Sequence, residues 1–307
     1  MRWEDFRRSD NVEDVRDGGG GGYGGGGGLP MGGGGLGIGT IIVLGLVGWA
    51  LGIDPRILIG GAEIFTGGAP GQAQMERQGP APKGGAPTDR QGQFVAAVLG
   101  STEDVWTDIF QANGQTYRVP RLRLFAGQTS GGACGMAQSA MGPFYCPPDR
   151  RIFLDTSFFR EMETKFRACT GKQCEFAQAY VMAHEVGHHV QNLLGILPRA
   201  TQMQQSAGSK AQANNIQVRV ELQADCFGGV WANHAQRKVN FIEAGDIEGA
   251  LAIASAIGDD RLQKQTQGRV VPDSFTHGSS AQRQRWFTIG YKEGKVSACD
   301  TFKAANL

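Results

Sequence analysis

Histidine is scarce in this chain: there are five in 307 residues, and three of them fall within residues 184–189. Net charge is nearly absent too. Thirty Lys and Arg against 29 Asp and Glu leave +1, which removes the electrostatic case for a nucleic-acid partner. The six cysteines include no C-x-x-C, so a thiolate zinc site has no basis. A cleavable leader is also missing. The first long apolar run starts only at residue 36 and ends without a small-residue cleavage site.

What is present is concentrated. His184-Glu185-Val186-Gly187-His188 reads H-E-x-x-H. On a helix, residues four apart share a face, so the two imidazoles can converge on one metal ion. Glu185 sits beside them, where a general base would stand. Such a site prefers Zn²⁺, which lowers the pKa of bound water to about 7. Around the motif, Phe176, Ala179, Tyr180, Ala183, Val186, Gly187 and Val190 keep helical spacing. The histidines therefore stand on or beside a buried stripe, where an unpaired imidazole would be costly. His189, about 100° round the helix from His188, cannot share that face and reads as a supporting or surface residue.

A catalytic zinc needs a third protein ligand and an open fourth position. Glu221 and Asp225 are four apart in a second apolar helix (Val220, Leu222, Ala224, Phe227, Val230, Trp231). Glu221 can ligate the metal while Asp225 accepts the free ring N–H of His184 and fixes its tautomer. The reverse assignment stays open at this point.

These two segments, together with the Met1-Arg2-Trp3 start, Ser9–Asp14, Cys134-Gly135 and Gly142–Pro147, resemble the bacterial neutral zinc metallopeptidase family over nearly the whole chain. More distantly the core is similar to zincins with a glutamate third ligand. The resemblance implies His184, His188 and Glu221 as zinc ligands and Glu185 as general base. Membrane-bound peptidases of that wider group carry His-Pro and then an arginine near the C-terminus. Here Thr276-His277-Gly278 precedes Arg283, with glycine in place of proline. The likeness implies that His277 stabilises the oxyanion and Arg283 supports the site. The alternative is a loop histidine ahead of a helix capped by Ser279 or Ser280.

Along the chain, residues 1–35 read as a charged, then glycine-rich disordered segment; 48 glycines are far above ordinary usage and concentrate in 18–39. Residues 36–53 hold no charged side chain and meet the lower limit for a single membrane span. Residues 54–92 read as a Gly/Pro/Ala-rich linker and 93–307 as the catalytic domain. Arginines before the span favour a cytoplasmic N-terminus, which would put the domain on the periplasmic side of a bacterial inner membrane. Cys134, Cys146, Cys169, Cys174, Cys226 and Cys299 form an even set that suits disulfides in an oxidising compartment, with the pairing open and Cys226 also readable as a free thiol.

Helices are predicted near 93–112, 156–168, 175–195, 211–237, 241–256 and 280–290, and strands at 117–125 and 151–155. That makes an α+β, mainly helical zincin-like domain with a small sheet. The likeness to zincins implies Arg151–Asp155 as the strand whose edge is offered to an extended peptide. The function expected is a membrane-anchored zinc endopeptidase acting on protein or peptide substrates, held to the bilayer by one span. A zinc-binding, non-hydrolytic envelope scaffold is the alternative, and a structural domain with a fortuitous motif ranks below both.

Overall fold

In the computed structural model, residues 1–16, 86–164, 169 and 171–307 are described. The expected span at 36–53, and most of the expected linker, lie outside them. Among the described residues no helix is long and apolar enough to cross a membrane.

The sheet is mixed, with order β1-β2-β6-β5. Its strands are β1 (Val12–Asp14), β2 (Arg121–Phe125), β5 (Phe144–Cys146) and β6 (Arg151–Asp155). Strand β2 runs parallel to both β1 and β6, while β5 and β6 form an antiparallel hairpin. A separate antiparallel pair, β3 (Gln128–Ser130) and β4 (Met136–Gln138), precedes β5. Leu122, Leu124, Ile152 and Leu154 are buried, as the alternation of RLRLF and RIFLD requires of strands packed under helices.

Among the described residues, eight α-helices carry the rest. They are α1 (Arg90–Ala112), α2 (Thr156–Thr164), α3 (Gln173–Leu193), α4 (Ile196–Gln205), α5 (Lys210–Val239), α6 (Asp246–Ala256), α7 (Asp259–Gln267) and α8 (Ser280–Glu293). Their starts follow ordinary capping chemistry. Asp89 accepts from the Gln91 and Gly92 amides at α1, Ser209 from Gln212 at α5, and Ser279 with Gln282 closes a capping box at α8. In the larger of two core clusters Trp106 packs on Phe227, and Phe176 on Trp231 and Phe241; a smaller one gathers Phe125, Ala137, Phe144, Cys146 and Phe153. A mainly helical domain with a small sheet is the α+β class expected.

Two expectations are corrected. Residues 1–16 are not a disordered tail: Met1, Trp3, Phe6 and Val12 are buried, with Trp3 edge-on to Phe94 and Phe6 against Phe241. Their charges, which read as solvated, find partners in the fold. Arg7 and Ser9 bond the buried Glu103 at 2.7 Å each, Glu13 pairs with Arg123, and Arg16 with Asp89. The domain accordingly begins at residue 1 and resumes before residue 93. Strand β6 is not an edge, since β2 and β5 flank it; the edges are β1 and β5.

Strand β1 precedes residues 17–85 and β2 follows them, yet they pair from Val12 to Asp14.

Candidate metal centre

Helix α3 supplies His184, Glu185 and His188, and α5 crosses it with Glu221 and Asp225. Gly187 makes that crossing possible. A Cβ there would stand 2.9 Å from the Ala224 carbonyl oxygen and 3.0 Å from its Cα, so the α3 backbone touches the α5 backbone midway between the histidines. A second pair of glycines does the same on the other side of α5. A Cβ on Gly290 of α8 would lie 1.9 Å from the Cys226 carbonyl oxygen, and one on Gly229 would lie 2.2 Å from that of Phe287. Backbone contact at both crossings brings short side chains from three helices to one point.

At that point three atoms converge. His184 Nε2 lies 3.1 Å from His188 Nε2 and 3.2 Å from Glu221 Oε2, and His188 Nε2 lies 3.4 Å from the same oxygen. A tetrahedral zinc with bonds near 2.0–2.2 Å separates its ligand atoms by about 3.3–3.5 Å. Among the described residues, this is the His/Cys/Asp/Glu group that could hold a metal ion. The donor set, two imidazoles and a carboxylate, suits Zn²⁺ and leaves a fourth position for water or substrate.

The opposite ring nitrogen of His184 faces Asp225 Oδ1 at 2.8 Å. A carboxylate can only accept there, so Nδ1 carries the proton and Nε2 presents its lone pair to the metal position. Asp225 is thus turned away from the metal position, which resolves the open choice in favour of Glu221. Asp225 is a hub. Arg283 donates Nε to Oδ2 at 2.8 Å and an η nitrogen to Oδ1 at 2.7 Å, a bidentate pair, and Tyr180 Oη donates to Oδ1 at 2.5 Å. All four side chains are buried.

Burial alone would raise the Asp225 carboxyl, but the Arg283 guanidinium and then His184 override it and hold the pKa at about 2. Burial would likewise depress the His184 imidazolium; Asp225 and Glu221 reverse that and raise it to about 10. Glu221 is pushed well below the carboxylate range, against its burial, by the two histidines. The centre is therefore built to carry a positive charge between two carboxylates, and a divalent cation held by His184, His188 and Glu221 would take the place of the imidazole proton.

Around it lie residues that sequence pattern did not single out. His188 Nδ1 is 2.9 Å from Gln191 Oε1, and Gln191 Nε2 donates to the Val220 carbonyl at 2.8 Å and to Gln223 Oε1 at 3.0 Å. Gln223 Nε2 donates to the Cys299 carbonyl at 2.9 Å. Gln217 donates to the second oxygen of Glu221 at 2.7 Å. Tyr180 and Gln191 sit four before His184 and three after His188, so the helical face already contained them.

His189 is fully buried rather than at the surface. It lies between the rings of Tyr117 and Tyr145, with Nδ1 2.9 Å from Tyr145 Oη and Nε2 2.6 Å from the Arg118 carbonyl. His277 stands half exposed at the rim. Asp259 on α7 accepts from the backbone N–H of Thr276, His277 and Gly278 at 2.7, 2.5 and 3.0 Å. Gly278 has φ +90° and packs against Val218 and Leu222, the residues flanking Glu221 on α5. Proline could supply neither that φ nor that N–H, which accounts for the glycine after His277. Burial would lower the His277 imidazolium, but Asp259 and then Glu221 raise it above its ordinary value. All six cysteines are paired: Cys134–Cys146, Cys169–Cys174 and Cys226–Cys299, so Cys226 is not a free thiol.

Comparison with known proteins meets this geometry. A family model described as "Putative neutral zinc metallopeptidase" matches residues 1–302. The Escherichia coli K12 protein named "Uncharacterized protein YpfJ" is 47% identical over 305 residues, covering 98% of this chain and 99% of that protein. The Mycobacterium tuberculosis H37Rv protein named "Uncharacterized protein Rv2575" is 48% identical over 222 residues, 69% of this chain and 71% of that protein. No solved structure matches the chain.

Proposed function

The chain belongs to the neutral zinc metallopeptidase family, and on that premise we propose that it is an endopeptidase whose reaction runs at His184, His188, Glu221 and Glu185. The observation that carries this reading is the convergence of two Nε2 atoms and one carboxylate oxygen within 3.1–3.4 Å of one another, beside the buried Glu185. Zinc bound there supplies a Lewis acid that polarises the scissile carbonyl and eases deprotonation of water.

The chain's own residues do the rest. Glu185 takes a proton from the attacking water and returns it to the leaving amine. His277, its pKa raised by Asp259 and Glu221 against burial and its loop packed beside the Glu221 turn, donates to the oxyanion as it forms. Asp259 fixes the backbone of that loop, and Arg283 keeps Asp225 charged so that His184 holds one tautomer. Strand β5 lies against α3 through Tyr145, whose hydroxyl meets both His189 and Asn192. Its edge position supports a role in pairing with an extended peptide main chain, which would bind substrate without demanding a particular sequence.

Three disulfides support an oxidising compartment outside the cytoplasm, with residues 1–16 and 86–307 together on that side.

The test is Glu185→Gln, made alongside wild type and assayed with an unstructured protein substrate and by zinc analysis. The variant is expected to keep one zinc per chain and to lose hydrolysis by about 10²–10⁴-fold. A variant as active as wild type removes Glu185 from the mechanism.

A further inference from the structure

The Cys226–Cys299 disulfide lies outside the metal centre, yet a continuous line of buried hydrogen bonds runs between them. It starts at His188 Nδ1, passes through Gln191 and Gln223, and ends on the main-chain carbonyl of Cys299. Gln191, Cys226 and Cys299 are fully buried and Gln223 is 5% exposed, so solvent does not substitute for the Gln191–Gln223 and Gln223–Cys299 bonds, while the His188–Gln191 bond is part-buried. The half-cystine at the other end, Cys226, follows Asp225 directly in α5.

The polarity of this line is determined by its ends. The Cys299 carbonyl can only accept, so the amide nitrogen of Gln223 faces it and the Gln223 oxygen faces Gln191. The Val220 carbonyl can also only accept, and together with the Gln223 oxygen it takes both protons of the Gln191 amide. The Gln191 oxygen is left pointing at His188 Nδ1. That nitrogen must then carry the proton, and Nε2 must present a lone pair. Flipping either amide would set two acceptors, or two donors, against each other in a dry interior, at a cost of about 1–3 kcal/mol per unsatisfied group.

We propose that Gln191 and Gln223 are positioning residues for the metal: a two-amide relay, anchored on the Cys299 carbonyl and held in place by the Cys226–Cys299 disulfide, that sets the tautomer and ring orientation of His188. It is the uncharged counterpart of Asp225 at His184. The two supports differ in kind. Asp225 is an anion that favours charge on its ring, while Gln191 is neutral and orients His188 without that bias. The disulfide ties the two together, because it joins the residue after Asp225 to the residue whose carbonyl ends the relay. The proposal rests on the zinc reading of His184, His188 and Glu221 and adds the residues that hold its second imidazole.

The experiment compares the full-length disulfide-bonded protein with Gln191→Leu, Gln191→Glu and Gln223→Leu. Zinc affinity is read by competition with a chromogenic chelator, and the cobalt-substituted proteins are read by visible absorption. Gln191→Leu fills the space and removes the acceptor; its zinc affinity is expected to fall by about 10–100-fold, with a changed cobalt spectrum. Gln191→Glu restores an acceptor for Nδ1–H but sets its second oxygen against the Val220 and Gln223 acceptors, so it is expected to recover the wild-type spectrum and only part of that affinity. Gln223→Leu, one step further out, is expected to fall between them. Zinc affinity and cobalt spectrum unchanged in Gln191→Leu would overturn the relay while leaving the metal centre intact. Equal losses in Gln191→Leu and Gln191→Glu, with an unchanged cobalt spectrum, would assign Gln191 to packing alone and also overturn it. Absence of zinc from the wild-type protein would overturn the metal reading itself, and the relay with it.

Discussion

His189 follows a metal-binding histidine in the chain but does a different job. Its Nε2 donates to a carbonyl and its Nδ1 accepts from a phenol, so the ring is held neutral on both sides. Burial outweighs the help of the Arg118 carbonyl and brings its pKa down to about 4. An unfolded histidine protonates near 6.5. Between those values the unfolded chain binds the extra proton, so stability is complete above about pH 6.5 and declines as pH falls towards 4. The full difference is about 3 kcal/mol for this one group. His189→Gln keeps a donor and an acceptor but cannot titrate. Denaturant unfolding at pH 7 and pH 4 should show the wild type losing more stability than the variant; equal losses would mean the ring protonates in place. Residues of this kind show what pattern reading can reach. Asp225 was legible because a helix puts it one turn from Glu221, on the side where His184 needs an acceptor. Gln191 and Gln223 were not, because an amide reveals its role only through the carbonyls it meets, and those of Val220 and Cys299 arrive from elsewhere in the chain.

Helices α3, α5 and α8 meet through glycines, and the site depends on how close they come. At Gly187 an added methyl would press on the Ala224 backbone from 2.9 Å; at Gly290 it would overlap the Cys226 carbonyl at 1.9 Å. Neither obstacle is the end of a flexible side chain, so the helices must separate. Gly187→Ala should cost about 1–3 kcal/mol, with zinc affinity reduced because His184 and His188 retreat from Glu221. Gly290→Ala should cost more. In thermal unfolding each kcal/mol is worth about 2–4 °C for a domain of this size, so the two variants should rank clearly below wild type, with Gly290→Ala lowest. The reverse order would mean that α8 moves more freely than α3. Long helices and the RIFLD strand could be read from period alone. Strand β5 could not: it has three residues, closed by Pro147 and by Gly142-Pro143, too few to alternate. Helix α7 (DDRLQKQTQ) is polar nearly throughout, yet its first residue secures the His277 loop.

For the molecule as a whole, the decisive contact is a short strand. Three residues, Val12–Asp14, fix the N-terminal segment to the same sheet as Leu122–Leu124, and Trp3 and Phe6 insert into the same core as Phe94 and Phe241. The segment was hard to read because its apolar residues at 1, 3, 6 and 12 follow neither period 2 nor 3.6, and its charges resemble a solvated tail. Their partners, Glu103, Asp89 and Arg123, lie far along the chain. Pairing of β1 with β2 supports the proposed reading that residues 1–16 and 86–307 lie on one side of any bilayer. Asp5 and Asn306 are exposed and can each be replaced by cysteine in an otherwise fully disulfide-bonded chain. In intact cells stripped of their outer barriers, a membrane-impermeant maleimide should label both positions or neither. On the proposed oxidising compartment, which the three disulfides support, the expected result is both. Labelling of Asn306→Cys alone would mean that residues 1–16 remain in the cytoplasm, that β1 never joins β2, and that the catalytic sheet forms without its first strand.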